Sequence, residues 1–120
     1  MIHHVVLGVS DLERSGSFYD SLLAPLGWRR HLEANGCIGW GIAKPVFFVS
    51  RDDGTAPAHG LVSFAAPGIA AVKAAWEGGL SHGGGGIDGP GEARRTGSGS
   101  YSAFLADPDG HSIEITVGSE

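Results

Sequence analysis

The chain has 120 residues, enough for one domain with its own core, and 42% hydrophobic with 18% charged residues excludes a disordered polypeptide. Its formal charge is −5 and its only paired bases are Arg29-Arg30 and Arg94-Arg95, a balance that argues against a nucleic-acid surface. Cys37 is the single cysteine, so neither an intrachain disulfide nor a Cys-based zinc site can form.

The opening residues, MIHHVVLGVSD, lack a basic region followed by an apolar core and a cleavage site. No apolar run approaches the roughly 20 residues that span a bilayer, so a cytoplasmic protein with no membrane partner is the expectation. HVVLGV over residues 4–9 alternates, with Val5, Leu7 and Val9 on one face and His4, Val6 and Gly8 on the other. Ser10-Asp-Leu-Glu13 matches a capping box, with Ser10 as N-cap. Leu12, Tyr19, Leu22 and Leu26 then follow near helical spacing until Pro25 and Gly27 end the run. Further strands are expected near 29–32, 37–42 and 46–50.

The pattern returns 57 residues later in LVSFAAPGIAAVKAAWEGGL. A strand leads into a helix with Ile69, Val72, Trp76 and Leu80 on one face. At this offset His4 meets Leu61, Leu12 meets Ile69, Tyr19 meets Trp76, Leu23 meets Leu80 and Gly27 meets Gly84. The glycine-rich segment after this helix is too loose to be helical, so a short strand near 86–88 followed by a loop is expected. The last strands fall near 100–106 and 111–117, joined by the turn DPDG. The chain therefore reads as two copies of a strand-helix-strand-strand-strand unit.

Three stretches, HHVVLGVSDLERSGSFYDSLLAPLGW, LVSFAAPGIAAV and YSAFLADPDGHSIEI, resemble the glyoxalase / bleomycin resistance / dioxygenase superfamily, also called vicinal oxygen chelate proteins. The resemblance covers nearly the whole chain, and the strand–SD–helix opening together with the DPDG-x-x-IE ending is specific. It implies an α+β fold of tandem βαβββ modules, about 1–56 and 57–120, forming a cupped, partly open barrel-like sheet with helices outside. It also implies a homodimer and a divalent metal (Zn, Mn, Fe or Ni) that chelates vicinal oxygens of a small molecule.

Carried over position by position, the resemblance makes His4 the first-strand metal ligand and Glu114 the last-strand ligand and candidate catalytic group. The fifth-strand ligand position holds Leu61, and the fourth falls near Phe47 or Phe48, so at most two of four are kept. His59 lies two residues before Leu61 on the same strand parity, and a register shift would bring it toward the metal. His4, His59 and Glu114 would then form a two-His, one-carboxylate set.

Glu114 shares its face with Ser112 and Thr116, while Ile113, Ile115 and Val117 take the other, which aims the carboxylate into the cup. Tyr101 matches a family aromatic that faces the substrate, with capping of the cup's rim the equal alternative. Trp40 and Phe48 are candidates for the pocket wall, with ordinary core packing the equal alternative, and Arg95 beside Arg94 is a candidate grip for an anionic ligand. Asp107 and Asp109 belong to the turn, and His31, His82 and His111 are expected at the surface. Two functions follow from the resemblance. One is a metal-free or metal-altered binding protein, supported by the lost ligands. The other is a metal-dependent lyase, isomerase or dioxygenase using His4, Glu114 and His59.

Overall fold

The computed structural model describes residues 2–52, 60–92 and 100–118. His59 and Arg95, with Arg94, lie outside the described residues. The first half runs β1 (Val5–Val9), α1 (Leu12–Leu23), a 3-10 turn over Ala24–Leu26, β2 (Arg29–Ala34), β3 (Cys37–Gly41) and β4 (Phe47–Arg51). The second runs β5 (Leu61–Ala65), α2 (Ile69–Ser81), β6 (Gly85–Glu92), β7 (Tyr101–Ala106) and β8 (Ser112–Val117). Each half builds one four-stranded mixed sheet in the same order, β1-β4-β3-β2 and β5-β8-β7-β6. The duplication read from the sequence thus reappears as identical strand topology. The fold is α+β, and neither sheet closes.

The sequence marks of the first helix hold except at its cap. Asp11, not Ser10, is the N-cap, and its side chain accepts from the Arg14 amide. Ser10 is drawn elsewhere, since its hydroxyl donates to Asp109 at 2.6 Å. Gly27 ends the following turn at φ +86°, a conformation that favours glycine. Between β2 and β3, Asn35 and Gly36 both take positive φ and close a two-residue hairpin. β6 is longer than the 86–88 expected, and two register shifts against β7 let this glycine-rich strand follow its neighbour.

Large side chains misplace the buried stripe of α2. Ile69 is 50% exposed and Leu80 37%, whereas Val72, Ala75 and Gly79 are buried. The small residues face α1, and the two helices pack on each other there. A Cβ on Gly79 would stand 2.6 Å from Leu105 Cδ1, and one on Gly78 would stand 2.6 Å from the Ser21 carbonyl oxygen.

Both sheets point their apolar faces into one core. Leu7, Val9, Ile38, Trp40, Phe47 and Val49 come from the first, and Phe64, Ala103, Leu105, Ile113 and Ile115 from the second. Phe47 meets Phe64 directly, edge to face at 5.1 Å between centroids. The opposite faces of both sheets therefore point away from each other.

The terminal turn fastens the halves together. Asp107, 3% exposed, accepts from the Tyr19 hydroxyl at 2.6 Å and from the amides of Asp109 and His111 at 2.9 Å. Asp109 accepts from the Ser10 amide and hydroxyl. His111 is not at the surface: it is 2% exposed, and its Nε2–H donates to the Gly8 carbonyl at 2.7 Å. A histidine next to a turn reads as solvated in sequence, but this turn is folded under α1 and β1.

Burial, then the Asp107 charge and its hydrogen bond, holds the Tyr19 phenol well above its ordinary range. A phenol pKa raised on folding contributes stability that is whole below the unfolded value of about 10 and is lost as pH rises through the folded value. Wild type should therefore lose stability in urea titrations as pH rises above about 10. Tyr19→Phe should lack that alkaline component and lose about 1–2 kcal/mol at neutral pH. Gly78→Ala should lower the urea midpoint despite a helix-propensity gain of about 1 kcal/mol, because its methyl meets backbone that cannot swing aside.

Candidate functional site

Cross-strand partners share a face, so the register decides what stands beside Glu114. Glu114 pairs with Phe104 of β7 and, on its other side, with Ser63 of β5. Ser102 and Thr116 extend this outward face and bond to each other at 2.7 Å. Leu61, 37% exposed, lies on it opposite Ser112. Glu114 is half-buried, and among the described residues no side chain or amide hydrogen-bonds to its carboxylate. Beside it, a hollow of about 290 Å³ is lined by Asp88, Pro90, Ser102 and Phe104.

On the first sheet, His4 is exposed and immediately precedes β1. Its ring meets the edge of Phe48 at 5.7 Å between centroids. Phe48 is half-buried and packs over Gly39, where a Cβ would stand 2.6 Å from its ring. The outward face of this sheet thus offers an imidazole and an aromatic wall, with Val6, 51% exposed, paired opposite Phe48. No ion pair joins His4 to Glu114, and no group of three His, Cys, Asp or Glu side chains converges among the described residues.

Trp40 and Tyr101 stand away from the Glu114 face. Trp40 is fully buried on the helix side, against Tyr19 and Phe47, and its indole N–H donates to Asp20 at 2.9 Å. Asp20 is also gripped by Arg30 through two bonds of 2.9 and 3.0 Å, so Trp40 is a core brace. Tyr101 pairs with Val117, not with a residue of the Glu114 face, and packs at the edge of the core. It is three residues from Phe104, and the two-residue period of a strand turns it to the other side. Phe104 is the aromatic beside Glu114. Sequence reasoning missed it because only the β7–β8 register brings the two opposite each other.

His31 is half-buried rather than exposed, with Nε2 near the Gly41 and Ile42 carbonyls at 3.1 Å. His82 is exposed and bonds the Gly78 carbonyl. At the positions implied for a family metal, the described residues are His4, Leu61, Phe48 and Glu114. One imidazole and one carboxylate on separate sheets do not fit a tightly held ion, which takes three or four protein donors.

The paired βαβββ units, each with one face in the core and one face open, define a duplicated cupped-sheet protein. The sequence profile of the Glyoxalase/Bleomycin resistance protein/Dioxygenase superfamily matches residues 1–115, and the chain belongs to that family. No curated protein matches the sequence. Among solved structures, the chain is similar to a glyoxalase/bleomycin resistance protein from Albidiferax ferrireducens T118, with 28% identity, a TM-score of 0.86 and 98% of each chain covered. It shares its fold with a putative glyoxalase from Bacillus halodurans, at 24% identity and TM-score 0.72, covering 98% of this chain and 95% of that one. It also shares the fold of the fosfomycin resistance protein FosX from Mesorhizobium loti, at 17% identity and TM-score 0.70, covering 97% and 90%. Among the described residues no helix is long and apolar enough to cross a membrane.

Among the described residues the half-buried Glu114 carboxylate has no hydrogen-bond partner, and burying a carboxylate without one costs stability. Glu114→Gln should raise the urea unfolding free energy, by about 0.5–1 kcal/mol.

Proposed function

We propose that this protein binds a small oxygenated molecule in a cup assembled by a homodimer, sheet one of one protomer facing sheet two of its partner, with an altered divalent-metal site. The observation that carries this reading is the separation of His4 and Glu114 onto outward faces of different sheets. Within one chain the shared core holds these faces apart, so a partner's sheet is what would bring an imidazole and a carboxylate to one cavity. The faces also carry apolar side chains that favour burial: Val6 and Leu61 exposed, Phe48 and Phe104 half-buried.

In such a cup Phe48 and Phe104 would supply walls, and Ser63, Ser102 and Thr116 hydroxyl groups for ligand oxygens. Glu114 would accept a proton or a hydrogen bond from a ligand hydroxyl, and His4 would meet the ligand from the other sheet. Arg95 is proposed as an anion grip and His59 as an added imidazole, both from their places in the sequence. Loss of the donors at Leu61 and Phe48 favours ligand capture over tightly bound metal chemistry.

Sedimentation should find a dimer at micromolar concentration, and Val6→Glu should shift it to monomer. Metal-free protein should be protected against thermal unfolding by α-hydroxy ketones or catechols. Protection reaches about 2.7 kcal/mol at a hundredfold excess over Kd. A wild-type monomer at tens of micromolar, together with no protecting compound, would sink the proposal.

A further inference from the structure

The four strands of the second sheet carry three carboxylates, Asp88, Glu92 and Glu114, and no lysine, arginine or histidine. The strands of the first sheet, by contrast, hold Arg29, Arg30, His31 and Arg51. Register sets two of the three carboxylates in one line. Asp88 pairs with Phe104, Phe104 with Glu114, and Glu114 with Ser63, so these four residues form a single row across the outward face. Asp88 is exposed, while Phe104 and Glu114 are half-buried. Among the described residues, neither Asp88 nor Glu114 has a hydrogen bond or an ion pair. Just beyond Asp88 the pairing shifts, and the next partners are Gly91 and Ser102. The hollow of about 290 Å³ lies at this shift, lined by Asp88, Glu92, Ser102 and Phe104.

We propose that the ligand of the cup carries a cationic nitrogen, a quaternary ammonium or an amine beside its hydroxyl groups, seated at Phe104 between Asp88 and Glu114. The inference rests on the cup proposed above and names the chemistry of that cup's ligand. Neighbouring strands lie about 4.8 Å apart, so the backbones of Asp88 and Glu114 flank Phe104 at a separation of about 10 Å. That is too wide for the two carboxylates to share one proton or one small bare ion. A substituted ammonium at the ring between them meets both, and an aromatic face attracts a cation within about 6 Å of its centroid.

Electrostatics favours the same occupant. A sheet with carboxylates and no basic side chain repels an anion, and a neutral molecule leaves the charge on Glu114 uncompensated. A cation supplies the opposite charge that a half-buried carboxylate lacks among the described residues. Thr116 accepts from the Ser102 hydroxyl at 2.7 Å, which leaves its own proton to donate to a ligand oxygen. An anionic group at the far end of the ligand is compatible with the role proposed for Arg95.

The test compares choline with 3,3-dimethylbutan-1-ol, which has the same shape and hydroxyl but no charge. Binding of each to the metal-free full chain is followed by chemical-shift titration at low salt. Choline should bind about tenfold more tightly than the alcohol. Asp88→Asn and Glu114→Gln should each weaken choline about threefold or more while the alcohol's affinity and the circular dichroism stay unchanged. Phe104→Leu should narrow the preference as well. Glu33→Gln, on the first sheet, should keep the wild-type preference. Equal binding of the two probes, no saturation by choline, or an undiminished preference in the Asp88→Asn/Glu114→Gln double variant would overturn the proposal. Dimerisation and protection by α-hydroxy ketones or catechols are read with uncharged ligands. Their persistence without a choline preference removes only the cation, whereas their loss removes the cup.

Discussion

The buried contact between Tyr19 and Asp107 is the joint on which the two halves depend. Its hydroxyl–carboxylate bond spans 88 positions of sequence, from the middle of the first helix to the turn before the last strand. Burying Asp107 without partners would be costly, and three donors offset that cost. Around the same turn, Asp109 holds Ser10 and His111 holds Gly8. The end of the second unit is thereby bonded to the start of the first.

That joint has a consequence for function. It brings the helices together and turns the apolar faces of both sheets inward, where Phe47 and Phe64 touch. Each sheet is then left with an open, partly apolar face carrying a chemically capable group, His4 on the first and Glu114 on the second. Small residues make the close approach possible: Gly78 and Gly79 admit the backbone and side chains of α1 to distances that a methyl group would forbid. The placement of the open faces and the composition of α2 are thus one design.

The face that Glu114 takes was legible because strands alternate. The outward aim of Glu114 follows from Ser112 and Thr116 on its face and two isoleucines on the other. Trp40 and Tyr101 each left two readings open for the same kind of reason. Both are aromatic residues on strands, and their type does not reveal which face they take. Trp40 goes inward because Asp20 on α1 waits for its indole N–H. Tyr101 goes with Val117 because the β7–β8 register pairs them, and that register gives Phe104 the place beside Glu114. His111 was misjudged because a turn that looks solvated is folded beneath another element.

The order of residues alone carried the duplication, the strand and helix positions, the family and the loss of usual donors at Leu61 and Phe48. These depend on local periodicity and spacing, which need no partner. Tertiary structure decided the rest: which aromatic stands by the carboxylate, which residue caps α1, and the burial of His111 against Gly8. Each depends on register or on a contact between distant segments. Such contacts are set by packing around a shared core, and no local pattern in the chain encodes them.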